Sequence, residues 1–191
     1  AADSLFGFYL RKKNYEMAEK YLNYFSDYDP MKKVKQGQLY MKQGNTEKAF
    51  EMLEKAVFSE YTTLNMAFGI MITKALEEKD RGYARFLAEK MCTLAAGFDM
   101  GKYNECAAML NVVTAENNVE GTFQVAKQLL DNVDTICDFQ KSQLYKHMKF
   151  QEVENPYTEE MKKELLEGFR NAEEFAYMKE YEPWKNLLSG N

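Results

Sequence analysis

A chain of 191 residues with 46% hydrophobic content is the size of one domain and long enough to bury a core. Its 3 Pro and 10 Gly disfavour a many-turned β-sandwich, and a net charge of −5 with no basic stripe disfavours a direct grip on nucleic acid. That charge is uneven, because residues 152–182 hold ten Glu against four Lys or Arg, which leaves the rest close to neutral. No apolar run approaches the roughly 18 residues of a membrane-spanning helix. Residues 1–15 lack the basic start and apolar stretch of a signal peptide. Cys92, Cys106 and Cys137 are an odd number without CxxC spacing, so buried small side chains in a reducing, cytoplasmic compartment are expected. The chain begins without Met and its helical pattern starts almost at once, which suggests a piece of a longer protein.

In chain order, the first element is a helix pair marked by Tyr9, Asn14, Tyr15, Ala18, Leu22 and Phe25. Asp29-Pro30 closes it, since proline cannot continue one helix but opens the next. Arg11, Asn14, Glu16, Ala18 and Leu22 then return 31 residues later as Lys42, Asn45, Glu47, Ala49 and Leu53. A fixed period on helical sequence means stacked helix pairs, because no single pair can bury its apolar face alone. Residues 31–59 carry the clearest unit, G-x2-Y-x3-G-x4-A-x3-L-x2-A from Gly37 to Ala56. Gly37 and Ala49 would let two helices approach closely, Tyr40 and Leu53 would fill the space beside them, and Gly44 with Asn45 would turn the chain.

Residues 61–97 read as a third pair, with Asp80 capping its second helix and Ala84, Leu87, Ala88 and Met91 facing inward. Residues 102–133 read as a fourth, with Gly121, Phe123, Ala126, Leu130 and Val133 at the same spacing. The anchor alanines 18, 49, 84 and 126 are then 31, 35 and 42 residues apart. One further helix is expected over 135–149, with Ile136, Phe139, Leu144 and Met148 on its apolar side. A break follows at Glu152–Tyr157, and a Glu-rich helix from Thr158. Leu165, Phe169, Phe175, Met178, Tyr181 and Trp184 carry an apolar stripe to the end. A stack needs a terminal unit with a polar outer face, and this tail fits that part.

No nucleophile with a base, no metal cluster and no phosphate loop is legible, so an enzyme is not expected. His147, the sole histidine, stands between Lys146 and Lys149 near an expected helix end, which suits a surface dipole partner rather than a general base. Glu77-Glu78 and Glu159-Glu160 point about 100° apart on a helix and cannot converge on one atom. Gly97-x3-Gly101 lacks the Gly-Lys-Ser/Thr ending of a phosphate cradle. Neither a cofactor nor a metal is expected.

The repeat motifs over residues 3–133 resemble the tetratricopeptide (TPR) repeat, and the expected fold is an all-α, TPR-like superhelical stack of antiparallel helix pairs. Residues 1–149 would form about four pairs plus one helix, and 150–191 a C-terminal helical cap. First helices line the concave face of such stacks, where partners lie. On that register Arg11, Gln38, Met41, Lys42, Met66, Thr73 and Asn111 would face a groove. Amide and hydroxyl groups there would hold peptide backbone, cations would take carboxylates, and Met would shape itself to apolar side chains.

The layout, including Leu144–Lys149 and the stretch Phe175 to Trp184, is also similar to the C-terminal sensor part of bacterial XRE-type helix-turn-helix transcriptional regulators. That resemblance implies a homodimer that senses a short peptide, clasped by Asn111, and less securely by Asn65 or Asn104. It implies that DNA is reached only through an N-terminal domain absent from this chain. The alternative is a free-standing TPR adaptor that docks a partner protein. A third reading, a phosphatase-like repeat protein, would need a groove amide such as Gln38.

Overall fold

The computed structural model describes residues 2–151, 157–171 and 173–189. Among them the structure is all-α, with no strand. The helices are α1 (Ala2–Arg11), α2 (Tyr15–Leu22), α3 (Pro30–Lys42), α4 (Thr46–Glu77), α5 (Arg81–Gly97), α6 (Lys102–Ala115), α7 (Val119–Asp131), α8 (Tyr157–Asn171) and α9 (Glu182–Ser189). Short 3-10 turns occupy Val133–Thr135, Asp138–Lys141, Gln143–Tyr145 and Glu173–Met178. No helix among the described residues is long and apolar enough to cross a membrane.

One turn recurs four times and explains the sequence repeat. Lys13, Gly44, Lys79 and Asn117 adopt positive φ (57°, 81°, 62° and 52°), and each is followed by Asn or Asp. The N–H of that Asx residue donates back five positions, to Tyr9, Tyr40, Ala75 and Val113 respectively, at 2.9–3.0 Å, which ends the preceding helix. Its side-chain oxygen accepts the N–H three positions on, at Met17, Lys48, Tyr83 and Gly121, which starts the next helix. One residue later, the N–H of Ala18, Ala49, Ala84 or Thr122 closes the first helical bond onto the Asx carbonyl. All four are fully buried. The fourth anchor is therefore Thr122. Ala126 is buried as well, but one helical turn further along.

The chain divides into two compact units, Ala1–Thr63 with Gln140–Phe150, and Leu64–Phe139 with Gln151–Asn191. In the first, Phe6, Ala18, Leu22 and Leu39 form the core, wrapped by Tyr9, Leu10, Tyr15, Tyr21 and Phe25. Tyr9 stacks on Tyr21 with ring centres 5.4 Å apart, and the Tyr15 hydroxyl donates to the Lys42 carbonyl at 2.7 Å. Asp29 caps α3 and Pro30 opens it, as expected. Gly37 marks a close approach, because a Cβ there would lie 2.7 Å from Leu53 Cγ and 3.2 Å from the Ala49 carbonyl oxygen.

In the second unit, Ile72 and Ala75 of α4, Ala84, Leu87 and Ala88 of α5, and Ala108 and Val112 of α6 make one cluster. Arg85 grips Glu116 with both Nε (3.2 Å) and a guanidinium NH2 group, tying α5 to the C-terminal end of α6. A second cluster joins Ala126, Leu129 and Leu130 of α7 to Phe169, Phe175, Met178 and Trp184. Thr122 reaches the same tail through a 2.6 Å hydrogen bond between its hydroxyl and that of Tyr177.

Two expectations need correction. The helix pairs do not break near residue 60: α4 is continuous for 32 residues, because Val57–Thr63 contains no Gly, Pro, Asn or Asp to stop it. Residues 135–149 form no α-helix. Tertiary bonds occupy their backbone groups instead: the Ile136 carbonyl accepts from Asn104 Nδ2 at 3.1 Å, and the His147 and Met148 N–H groups donate to Glu54. The Thr135 hydroxyl accepts the Tyr103 N–H at 2.9 Å, and the Thr135 carbonyl lies over Gly101. The break expected at 152–157 falls outside the described residues apart from Tyr157, which opens α8 with Glu159 and Glu160 in its first turn.

Candidate functional site

Three of the expected groove residues line depressions in the second unit. Helix periodicity places Met66, Gly69, Ile70 and Thr73 along one side of α4, where Met66 is 62% and Ile70 66% exposed. Thr73 also belongs to a neighbouring cavity of about 460 Å³ whose other wall is α6. There Asn111, Thr114 and Ala115 lie on adjoining turns, Asn117 sits in the left-handed turn after α6, and Leu76, Glu77 and Glu174 complete the lining. The cavity thus gathers amides and hydroxyls from two helices over an apolar floor.

Thr114 is unusual in this lining. Its hydroxyl oxygen is closed off from solvent and has no hydrogen-bond partner among the described residues. Mid-helix threonines elsewhere in the chain return their hydroxyl to the carbonyl four residues back, as Thr62, Thr63, Thr73 and Thr93 do at 2.8–3.0 Å. A buried hydroxyl left unmatched costs about 1–3 kcal/mol.

The remaining expected residues lie in the first unit. Arg11 folds back along α1, with a guanidinium nitrogen 3.5 Å from where a Cβ on Gly7 would stand. Gln38, Met41 and Lys42 are exposed on α3, and the Lys42 carbonyl is held by Tyr15. Asn104 spends its amide on the Met100 carbonyl at 2.6 Å and that of Ile136, so it braces the loop between α7 and the tail rather than a ligand.

His147 is half-buried and bonded rather than free on the surface. Its Nδ1 lies 2.5 Å from Glu54 Oε1, and its ring stacks on Phe50 with centres 4.9 Å apart. Glu54, only 8% exposed, accepts the backbone N–H groups of His147 (2.8 Å) and Met148 (3.1 Å) on its other oxygen. Both carboxylate oxygens are therefore engaged in pinning His147 and Met148 to α4, the geometry of a latch. Residues 93 positions apart make this pair, so no local spacing announces it.

The cysteines differ from one another. Partial burial pushes the Cys106 thiol up to about 11 and raises that of Cys92; both are half-buried and Cys137 is exposed, against the expectation that all three are buried. Cys106 also donates its S–H to the Tyr103 carbonyl at 3.4 Å. The chain matches no family model, and no curated protein or solved structure is similar to it.

Proposed function

We propose that the protein is a non-catalytic repeat domain that binds a short extended peptide in the cavity between α4 and α6. The observation that carries this reading is the set of Thr73, Asn111, Thr114 and Asn117 around one apolar-floored cavity of about 460 Å³. An extended peptide presents N–H and C=O groups at regular intervals, and a carboxamide such as Asn111 can answer one of each. The TPR-like repeat pattern supports the same reading, since stacked helix pairs present such faces to partners.

On the resemblance to XRE-type regulators, this binding would be the sensing step of a bacterial transcriptional regulator, with DNA contacted by another domain and the sensor paired as a homodimer. Sedimentation equilibrium tests the pairing, and a mass of one chain at all concentrations would remove it. The peptide reading is tested by calorimetric titration with hits from a displayed hexapeptide library. Asn111→Ala is expected to weaken binding about tenfold with an unchanged melting temperature. Equal affinity for wild type, Asn111→Ala and Thr73→Ala would overturn it.

A free-standing adaptor is the second reading, favoured by the bare Met66 and Ile70 beside the cavity. Loss of a stoichiometric protein partner on Met66→Glu, with hexapeptide affinity unaltered, would select it.

A further inference from the structure

A second cavity of about 290 Å³ adjoins the first in the same unit, and its character is different. Leu110, Met161, Leu165, Phe169 and Phe175 line it, so it is built for one large apolar side chain. The two cavities share Glu174 as a wall, and consecutive residues of α6, Leu110 and Asn111, face one each. The polar cavity contains the carboxylates of Glu77 and Glu174 in its lining and no Lys, Arg or His. Glu77 is partly compensated by Lys74 at 3.4 Å, whereas Glu174 has no ion pair among the described residues. Glu164 adds a third carboxylate at the mouth of the apolar cavity.

From the shared wall we infer that the bound peptide carries a large apolar side chain one or two residues from a Lys or Arg, the first filling the 290 Å³ cavity and the second pairing with Glu174. This rests on the peptide reading above and adds its specificity. Backbone groups held by Asn111 give affinity without choosing a sequence. Choice comes from the apolar cavity and from the uncompensated carboxylate, which repels an acidic neighbour as well as attracting a basic one. Glu164, in the lining of the apolar cavity with Glu174, makes the local field attractive to the same cation.

The test is a positional-scanning library of acetylated hexapeptides, read by fluorescence polarisation against wild type, Glu174→Lys and Gly168→Leu. Gly168 lines the apolar cavity and a Cβ there meets nothing within 4 Å, so the larger side chain grows into the space and competes with the ligand. Wild type is expected to prefer Phe, Leu or Met beside Lys or Arg about tenfold over the same residues beside Glu. Glu174→Lys should reverse that charge preference, and Gly168→Leu should erase the apolar one, both with melting temperatures unchanged. Peptides that bind wild type with no charge preference, or with one that Glu174→Lys leaves intact, would overturn this inference while peptide binding itself stands. A library with no binding to wild type would overturn the peptide reading and this inference with it.

Discussion

A methyl group on Gly101 would stand 1.9 Å from the carbonyl oxygen of Thr135, at a backbone φ of +90° that other residues resist. Backbone cannot retreat as a side-chain tip can, so Gly101→Ala must pull the 133–135 turn off α6 and break the Tyr103–Thr135 bond. It is expected to cost more than about 2 kcal/mol, measured as a fall in the urea midpoint. A cost under about 0.5 kcal/mol would show that the turn is not packed on Gly101. The thiols offer a second residue-level expectation. Cys137 should react with a thiol reagent first, with the half-buried Cys92 and Cys106, whose raised pKa leaves less thiolate, reacting more slowly. A folded-state pKa raised to about 11 for Cys106 means that the native fold holds the proton longer than the unfolded chain does. Its contribution to stability is complete below the ordinary thiol value near 9 and is lost as pH rises through about 11. Stability that rises across this window would contradict the burial of Cys106. At this scale the legible residues are those whose smallness is the message, Ala18, Ala49, Ala84 and Gly37. Thr122 does the same work but reads as polar, because its hydroxyl is satisfied by Tyr177, 55 residues away.

Among elements, α4 shows how a repeat can mislead. The period of 31 places a helix boundary near residue 60, yet the sequence there has no residue that stops a helix. Propagation beyond an established helix adds a hydrogen bond per residue, so a missing breaker lets two repeat helices fuse. Glu60→Pro separates the possibilities, since the residue is exposed and only the helix itself is at stake. A cost of about 3 kcal/mol or more is expected by chemical denaturation, against almost none if the chain turned there. The expected helix over 135–149 is missing for the opposite reason. Its apolar spacing suits a helix, but Asn104 and Glu54 claim its backbone groups from outside, and such claims leave no local pattern. Of the lining of the α4–α6 cavity, two residues were legible for related reasons. Repeat register placed Thr73 and Asn111 on first helices, and both line the cavity. Glu174 and the apolar cavity come from the tail, where repeat register no longer applies.

For the whole molecule, the four recurrent turns give the chain its rhythm, and only one of them uses the residue best suited to it. Gly44 occupies the left-handed position freely, whereas Lys13 and Lys79 hold φ of 57° and 62° against their own Cβ. Lys13→Gly and Lys79→Gly are each expected to raise stability by about 0.5–1 kcal/mol, and the gains should sum, since the two turns share no hydrogen-bond partner. Differential scanning calorimetry would read the increments, and a lower melting temperature in either variant would deny that lysine is strained there. Unused headroom of this kind suits an engineer: a hardened double variant would tolerate harsher substitutions around the α4–α6 cavity, and so widen the range of specificities that can be grafted onto the scaffold before it melts.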